Sequence, residues 1–438
     1  MKNLFDMGFS VQNSGVQNRE ILQKAVDFGG DIRLDVPGVY PLNDTVYLKS
    51  DISLYFGAGV YLSRTCEEDE TGPLFINRGA YNGQTDRNIR IDGMKIKVND
   101  VQNDQPAIVN SKKILGLNAV VAFSYAQDVV VQNFEILDLK NWDFALQFCT
   151  FQNVLVENVR IEGLKDAVHF GTGKNFTVRH GIFRTYDDPI ALNAHDYDIS
   201  NPQLGWIENG LIEDCVDLAD DSTTGFFCRI LAGAWVKWFP DMEIQKSDTV
   251  IANGRLYRAI LPPDGKIFIS KTCPSHEKGD KEYDGILWHV CQEGEIHNCG
   301  CRNIHFKDIY LEKNRPTAFC IHFDDDVWSR SFYPKAVPPV QENLVFENVV
   351  CNAKIDQFLE CRTPFDYVKI INSCIEGDIY LRNLAVEGLN YRDAEIYMAG
   401  NTLRKPVTIK ADDGRKVQVI TNCNFGKIIS TKGNVSIK

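Results

Sequence analysis

One short pattern returns along this chain: an apolar alternation, a single Asn, Asp or His, then a second apolar alternation. It reads VVVQNFEIL at 129–137, VLVENVRIE at 154–162, FTVRHGIFR at 176–184 and LIEDCVDL at 211–218. It returns as IHFKDIYLE (304–312), LVFENVVC (344–351) and VKIINSCIE (368–376), with weaker copies near 395–403 and 417–425. The pivots Asn133, Asn158 and His180 are 25 and 22 residues apart. Each copy reads as two short strands about a kink, and a repeat of about 20–25 residues is the length of one coil of a β-solenoid. A β-sandwich also alternates, but it does not repeat one kinked motif at a coil-length period. An inward Asn at the kink, hydrogen-bonded to the backbone of the next coil, is the expected reason for a polar residue in an apolar row.

The N-terminal region fits the same reading. Residues 17–28, QNREILQKAVDF, place Ile21, Leu22, Ala25 and Val26 on one helical face, and the Gly pair at 29–30 ends the helix. The open end of a solenoid is a template for edge pairing, and an amphipathic helix before the first coil covers it.

Composition narrows the partners. The net charge of −12 over 438 residues argues against nucleic acid as a partner. No stretch reaches the roughly 18 apolar residues of a membrane span, so no membrane partner is expected. The first residues, MKNLFDMGFSVQNSG, lack the apolar core of a signal peptide. The expectation is a cytoplasmic protein, or a secreted or periplasmic one given without its leader. The 13 cysteines are scattered and odd in number, which points to buried, reduced thiols and not to a zinc site. No cofactor or metal is expected.

Residues 19–64 run through the cap helix, a strand, P-x-G-x-Y, a strand ending in LKS, and a strand ending in a G-A-G turn. This segment, with the repeats after it, resembles the pectin-lyase-like proteins. The resemblance implies an all-β fold: a right-handed parallel β-helix with an N-terminal cap helix. It is specific for fold and not for chemistry, because hydrolases, lyases, epimerases and phage tailspikes share the scaffold.

The middle of the chain carries the candidate chemistry. Asp166 stands in LKDAVHFG, and Asp187 and Asp188 stand in YDDPIALN, 21 and 22 residues later. Residues one coil apart lie about 4.8 Å apart along a solenoid, so three carboxylates should meet on one face. The arrangement resembles the polygalacturonase-type glycoside hydrolases of family 28, whose N-T-D-G and D-D-x-I-A segments are one coil apart. That resemblance implies an Asp triad, with Asp187 as general acid and Asp166 and Asp188 holding the attacking water, and inversion at the anomeric carbon. Crowded like charges raise at least one carboxyl's pKa, so an acid and a base can coexist.

FFCRILAGAW (226–235) is similar to the family's R-I-K strand and Gly turn; Arg229 matches, but Leu231 stands where the family has Lys. The resemblance makes Arg229 a substrate-binding residue, and the lost Lys leaves a neutral sugar as open as an acidic one. The family's G-H-G coil has no counterpart. His195, the nearest histidine, and His169, three residues after Asp166, are candidate substrate-binding residues. His322 and Asp324, in the acidic run IHFDDDVW, are candidates for lining the groove.

Between Ala234 and Glu295 the repeat stops. The sequence divides into 1–234, a solenoid with cap helix and the candidate catalytic coils; 235–295, a small inserted β-unit; and 296–438, the rest of the solenoid. The insertion has a Trp, then D-x-V-x-x-N-G-x-x-Y-x-A, then a late Trp, and resembles the short chitin-type carbohydrate-binding modules. That makes Trp235, Trp238, Tyr257 and Trp288 candidates for stacking on sugar rings, although so small a unit also needs large aromatics for its core. The reading that best joins these features is an inverting glycoside hydrolase with a carbohydrate partner. A polysaccharide lyase on the same fold and a non-catalytic, glycan-binding or tailspike-like β-helix are the alternatives.

Overall fold

The computed structural model describes residues 1–64, 73–98, 116–139, 144–196, 201–262, 265–325, 330–382, 394–412, 416–421 and 429–438. The coils of the solenoid join in one 29-stranded sheet. The repeat seen in the sequence stacks in register: Val129 faces Val154, then Phe176, Gly210, Ile304, Leu344 and Val368, each in parallel pairing with the coil before. The fold is therefore a parallel β-helix.

Like side chains stack inside it. Phe123, Phe148 and Phe170 form a column with ring centroids 5.3 Å apart at each step. Phe306 and Phe346 repeat the arrangement further along at 5.2 Å. Such pairs contribute about 0.5–1.5 kcal/mol each beyond the area they bury. Among the described residues the cysteines are free thiols, and all but Cys273 and Cys374 are buried.

The kinks differ from the sequence expectation. Asn133, Asn158 and His180 do not face inward; they are exposed and take left-handed backbone angles of φ 53°, 51° and 55°. A sharp bend between two strands needs positive φ, which Asn and Asp tolerate better than other non-glycine residues. Once outside, Asn158 donates to Asn133 at 2.6 Å, and the neighbouring left-handed bend, five residues earlier in each repeat, carries a longer ladder of the same kind. Asn153 donates to Asp128, Asn175 to Asn153, Asn209 to Asn175, Asn303 to Asn209 and Asn343 to Asn303, at 2.7–3.1 Å.

The cap helix spans Gly15–Phe28. Ser14 and Gln17 close it with a reciprocal capping box, and Leu22, Ala25 and Val26 are buried, with Ile21 packed beside them. No helix among the described residues is long and apolar enough to cross a membrane.

The stretch Val236–Glu293 forms sheets of its own. Five strands lie in the order Val236–Lys237, Thr249–Ala252, Arg255–Ile260, Ile286–Glu293, Asp280–Tyr283, and Met242–Ile244 pairs with Phe268–Ser270. Asn253 and Gly254, at φ 50° and 72°, make the tight hairpin between two of them. Tyr257 and Trp288 are the centre of this unit's own core, and Trp235 is buried at the junction with its indole donating to the Ile296 carbonyl. This corrects the stacking expectation for those three: fully buried rings present no face to a sugar. Trp238 is half-buried, with its indole nitrogen on Ser270 Oγ at 2.9 Å.

Candidate active site

The coil period brings the acidic residues together. Asp166 stands two residues before the strand Val168–Phe170, and Asp188 two residues before Ile190–Asn193 with Asp187 beside it; Val168 faces Ile190 across the ladder. Ala145 N donates to Asp166 O at 3.1 Å and Ala167 N to Asp188 O at 3.0 Å, so Asp188 stands one rung above Asp166. One carboxylate oxygen from each of Asp166, Asp187 and Asp188 lies within 4.8 Å of the other two. Arg229, on the next rung opposite Ala191, brings Nε to 3.1 Å from Asp188 Oδ2. Lys165 Nζ is 4.0 Å from Asp187 Oδ2.

Their environments separate the three acids. Asp166 and Asp188 are buried, while the Asp187 side chain is 36% exposed. Burial pushes Asp188 well above the usual carboxylate range; Arg229 opposes this, and Asp187 and Asp166 reinforce it. Asp187 is also raised, by burial and then by the Asp166 charge. For Asp166 burial acts upward, but the His169 hydrogen bond and the charges of Arg229, His169 and Lys165 together hold it below its ordinary value. The main chain adds its own donors: Phe226 N gives a 2.8 Å bond to Asp188 Oδ1, and Asp188 N a 3.3 Å bond to Asp166 Oδ1. The cluster can therefore hold a carboxylate and protonated carboxyls together, which acid–base chemistry needs.

The turn carrying Asp187 is braced from the coil that follows the insertion. Arg315, buried and paired with Asp217, donates to Asp187 O at 3.4 Å and to Thr224 O at 2.6 Å. Thr185 Oγ1 donates to the same Asp187 carbonyl at 2.8 Å. Gly225 sits at φ 65° where a Cβ would lie 2.8 Å from the Asp187 backbone and 2.9 Å from Arg315, so only glycine lets the chains approach this closely.

The other candidates fall in different places. His169 is fully buried beneath Asp166, so it holds a site residue and cannot touch substrate, a correction to the binding role. His195 is buried too, its ring 6.0 Å from Trp235; burial, helped by the Arg258 charge, drops its pKa well below the usual histidine value. It is a neutral core imidazole at the junction with the insertion, not a substrate ligand. His322 is half-buried on the rung after Arg229, opposite Leu231. Asp324 is paired with Arg362; Asp326 lies outside the described residues.

Sequence reasoning passed over several neighbours. Asp196 and Asn201 lie behind His169, and Arg315 lies under Asp187. Glu360 accepts from Arg362 at 3.0 Å and from Arg382 at 2.8 Å, further along the same face. The only signal for Asp196 was its place beside His195; the contacts of Arg315 depend on a coil closed across the insertion.

Comparison with known proteins adds the fold. No family model matches the chain, and no curated protein matches it. Among solved structures, the family 28 exopolygalacturonase of Yersinia enterocolitica is 12% identical, with a TM-score of 0.51 over 99% of this chain and 77% of that one. The surface protein and adhesin PfbA of Streptococcus pneumoniae is 13% identical, with a TM-score of 0.51 over 98% of this chain and 99% of that one. The likeness is one of fold. An enzyme and an adhesin share it to the same degree, so the chemistry has to be argued from the site.

Proposed function

We propose that this protein is a glycoside hydrolase that cleaves a polysaccharide or oligosaccharide with inversion. Asp187 is the general acid, Asp166 is the base that activates the attacking water, Asp188 helps to hold that water, and Arg229 orients the sugar. The observation that carries the reading is the meeting of three carboxyls on adjacent rungs, one oxygen of each within 4.8 Å of the others, with Asp187 accessible and Asp166 and Asp188 buried. The accessible acid can protonate a leaving oxygen. The buried pair cannot reach an anomeric carbon, but it can hold a water that does, which favours direct displacement over a covalent intermediate. The nearest carboxylate oxygens are closer than the roughly 6.5–9.5 Å that separates opposed carboxyls in many inverting enzymes. Here the water would sit beside the pair and not between acid and base.

The likeness to an exopolygalacturonase supports a carbohydrate partner only through the shared fold. The division at 234 and 295 belongs to the same proposal: the inserted unit walls one side of the groove beyond Arg229. Tyr333, from the chain after the insertion, packs into the unit's core, which ties it to that face.

The test is a proton NMR time course on pectic, neutral-galactan and host-type glycans. New anomeric signals that first appear with inverted configuration support the proposal. Retained configuration would overturn the inverting assignment, vinyl protons would indicate a lyase, and binding without turnover would favour a glycan-binding protein.

A further inference from the structure

His169 is sealed beneath the carboxylates, and the proposed acid–base roles do not use it. Both of its ring nitrogens face oxygen. Nδ1 is 3.2 Å from Asp166 Oδ2; Nε2 is 3.2 Å from Asn201 Oδ1 and 3.5 Å from Asp196 Oδ2. The imidazole and both carboxylates are buried, with Phe144 stacked on the ring at 4.3 Å and an interplanar angle of 17°.

Donor counting constrains where the protons sit. The orientation of Asn201 is set from its other side, because Nδ2 donates to Asn193 O at 2.5 Å. Its oxygen therefore turns toward His169 and offers only lone pairs. A neutral imidazole has one bare nitrogen. Were that nitrogen Nδ1, its lone pair would face a carboxylate; were it Nε2, it would face an amide oxygen and a second carboxylate. Each tautomer buries a contact between unshared pairs, which is costly in a site closed to water. A proton on each nitrogen removes both contacts and neutralises one of the two negative charges. Asn193 Nδ2 supplies Asp196 Oδ2 with a further bond at 2.7 Å, so that carboxylate is held as an acceptor in its own right.

We infer that His169 is a doubly protonated bridge between Asp166 and Asp196, and that it acts as the positioning residue that keeps Asp166 an ionised base. The groups facing it are Asp166 and Asp196 directly. Arg229, Lys165, Asp187 and Asp188 act on it through Asp166, and Cys149 shares the Asn201 oxygen. With Asp166 committed as the anion, the cluster's proton belongs to Asp187 and Asp188, the two carboxyls that burial raises.

The consequence for turnover rests on the hydrolase reading; the protonation state does not. The first measurement is therefore independent of any substrate. Protein labelled with 15N in histidine is examined by long-range 1H–15N correlation, and His169 is identified by its contacts to the Phe144 ring. Two protonated nitrogens at neutral pH are expected. One bare nitrogen at neutral pH would overturn the inference.

The second measurement is the pH–rate profile of His169→Gln on a glycan that the wild type cleaves. Loss of the cation should move the acid limb of kcat/KM to higher pH by about one unit or more. A uniform loss of rate with the limb unmoved would assign His169 a packing role only. If the wild type cleaves nothing, the hydrolase reading fails while the NMR result still decides the bridge.

Discussion

Arg315 grips Asp217 with two hydrogen bonds, Nε to Oδ2 at 2.8 Å and Nη2 to Oδ1 at 3.0 Å, with both side chains closed to solvent. The same guanidinium holds the Asp187 and Thr224 carbonyls. One arginine thus joins the coil after the insertion to the turn that carries the proposed acid. Arg315→Met leaves the Asp217 charge buried without its partner and should cost about 3–5 kcal/mol. Chemical denaturation measures this, and any folded fraction should turn over more slowly because Asp187 loses its brace.

Asp248 gives the stability of the protein a pH dependence that can be assigned to one side chain. Burial lifts its carboxyl to about 7, against the pull of Arg330, whose Nη1 is 3.3 Å away. A carboxyl raised on folding binds its proton more tightly in the folded state. Its contribution is fully present below the unfolded value near pH 4 and is lost as pH rises to about 7, up to about 4 kcal/mol in all. Denaturation midpoints for the wild type should fall across that window more steeply than those of Asp248→Asn. Parallel curves would remove Asp248 from the account.

The outer Asn ladder should tolerate glycine better than a β-branched residue. Asn175, at φ 61°, donates to Asn153 and accepts from Asn209, each at 3.0 Å. Asn175→Gly loses two exposed hydrogen bonds but keeps the turn. Asn175→Val also strains the backbone, by about 1–2 kcal/mol. The midpoint order wild type, Gly, Val is expected from thermal melts.

Burial separates the aromatics of the inserted unit. Trp288 is fully buried and Trp238 only partly. Trp288→Ala should cost about 3–5 kcal/mol as a large core truncation, and Trp238→Ala clearly less. Tryptophan fluorescence during denaturation follows both.

The coil repeat was legible in the sequence because stacking demands it: Val129, Val154 and Phe176 share one interior column, so their motifs had to look alike. The three aspartates were legible for the same reason, since a separation of one coil becomes a separation of one rung. The direction of Asn133 and Asn158 was not, because a polar residue in an apolar row reads the same whether it points in or turns the chain outward; only the backbone angle separates the two. His169 and His195 were misplaced because spacing puts a residue on a rung without saying what lies above it. The binding aromatics failed on size: a unit as small as Val236–Glu293 uses Tyr257 and Trp288 to make a core, and little of either is left for a ligand. The Arg315 brace depends on contacts between residues 128 apart, across an insertion of unknown path, and no local pattern announces it.

The most direct test of the catalytic cluster is the turnover of Asp187→Asn beside the wild type, on whichever glycan the wild type cleaves. The substitution keeps the shape of a partly exposed side chain and removes its proton, so the melting temperature should stay at or above the wild-type value. A fall in kcat of about 10²–10⁴-fold is expected, the usual contribution of a general acid, with binding retained. Equal rates in the two proteins would contradict it and leave the three aspartates as structural residues of the solenoid.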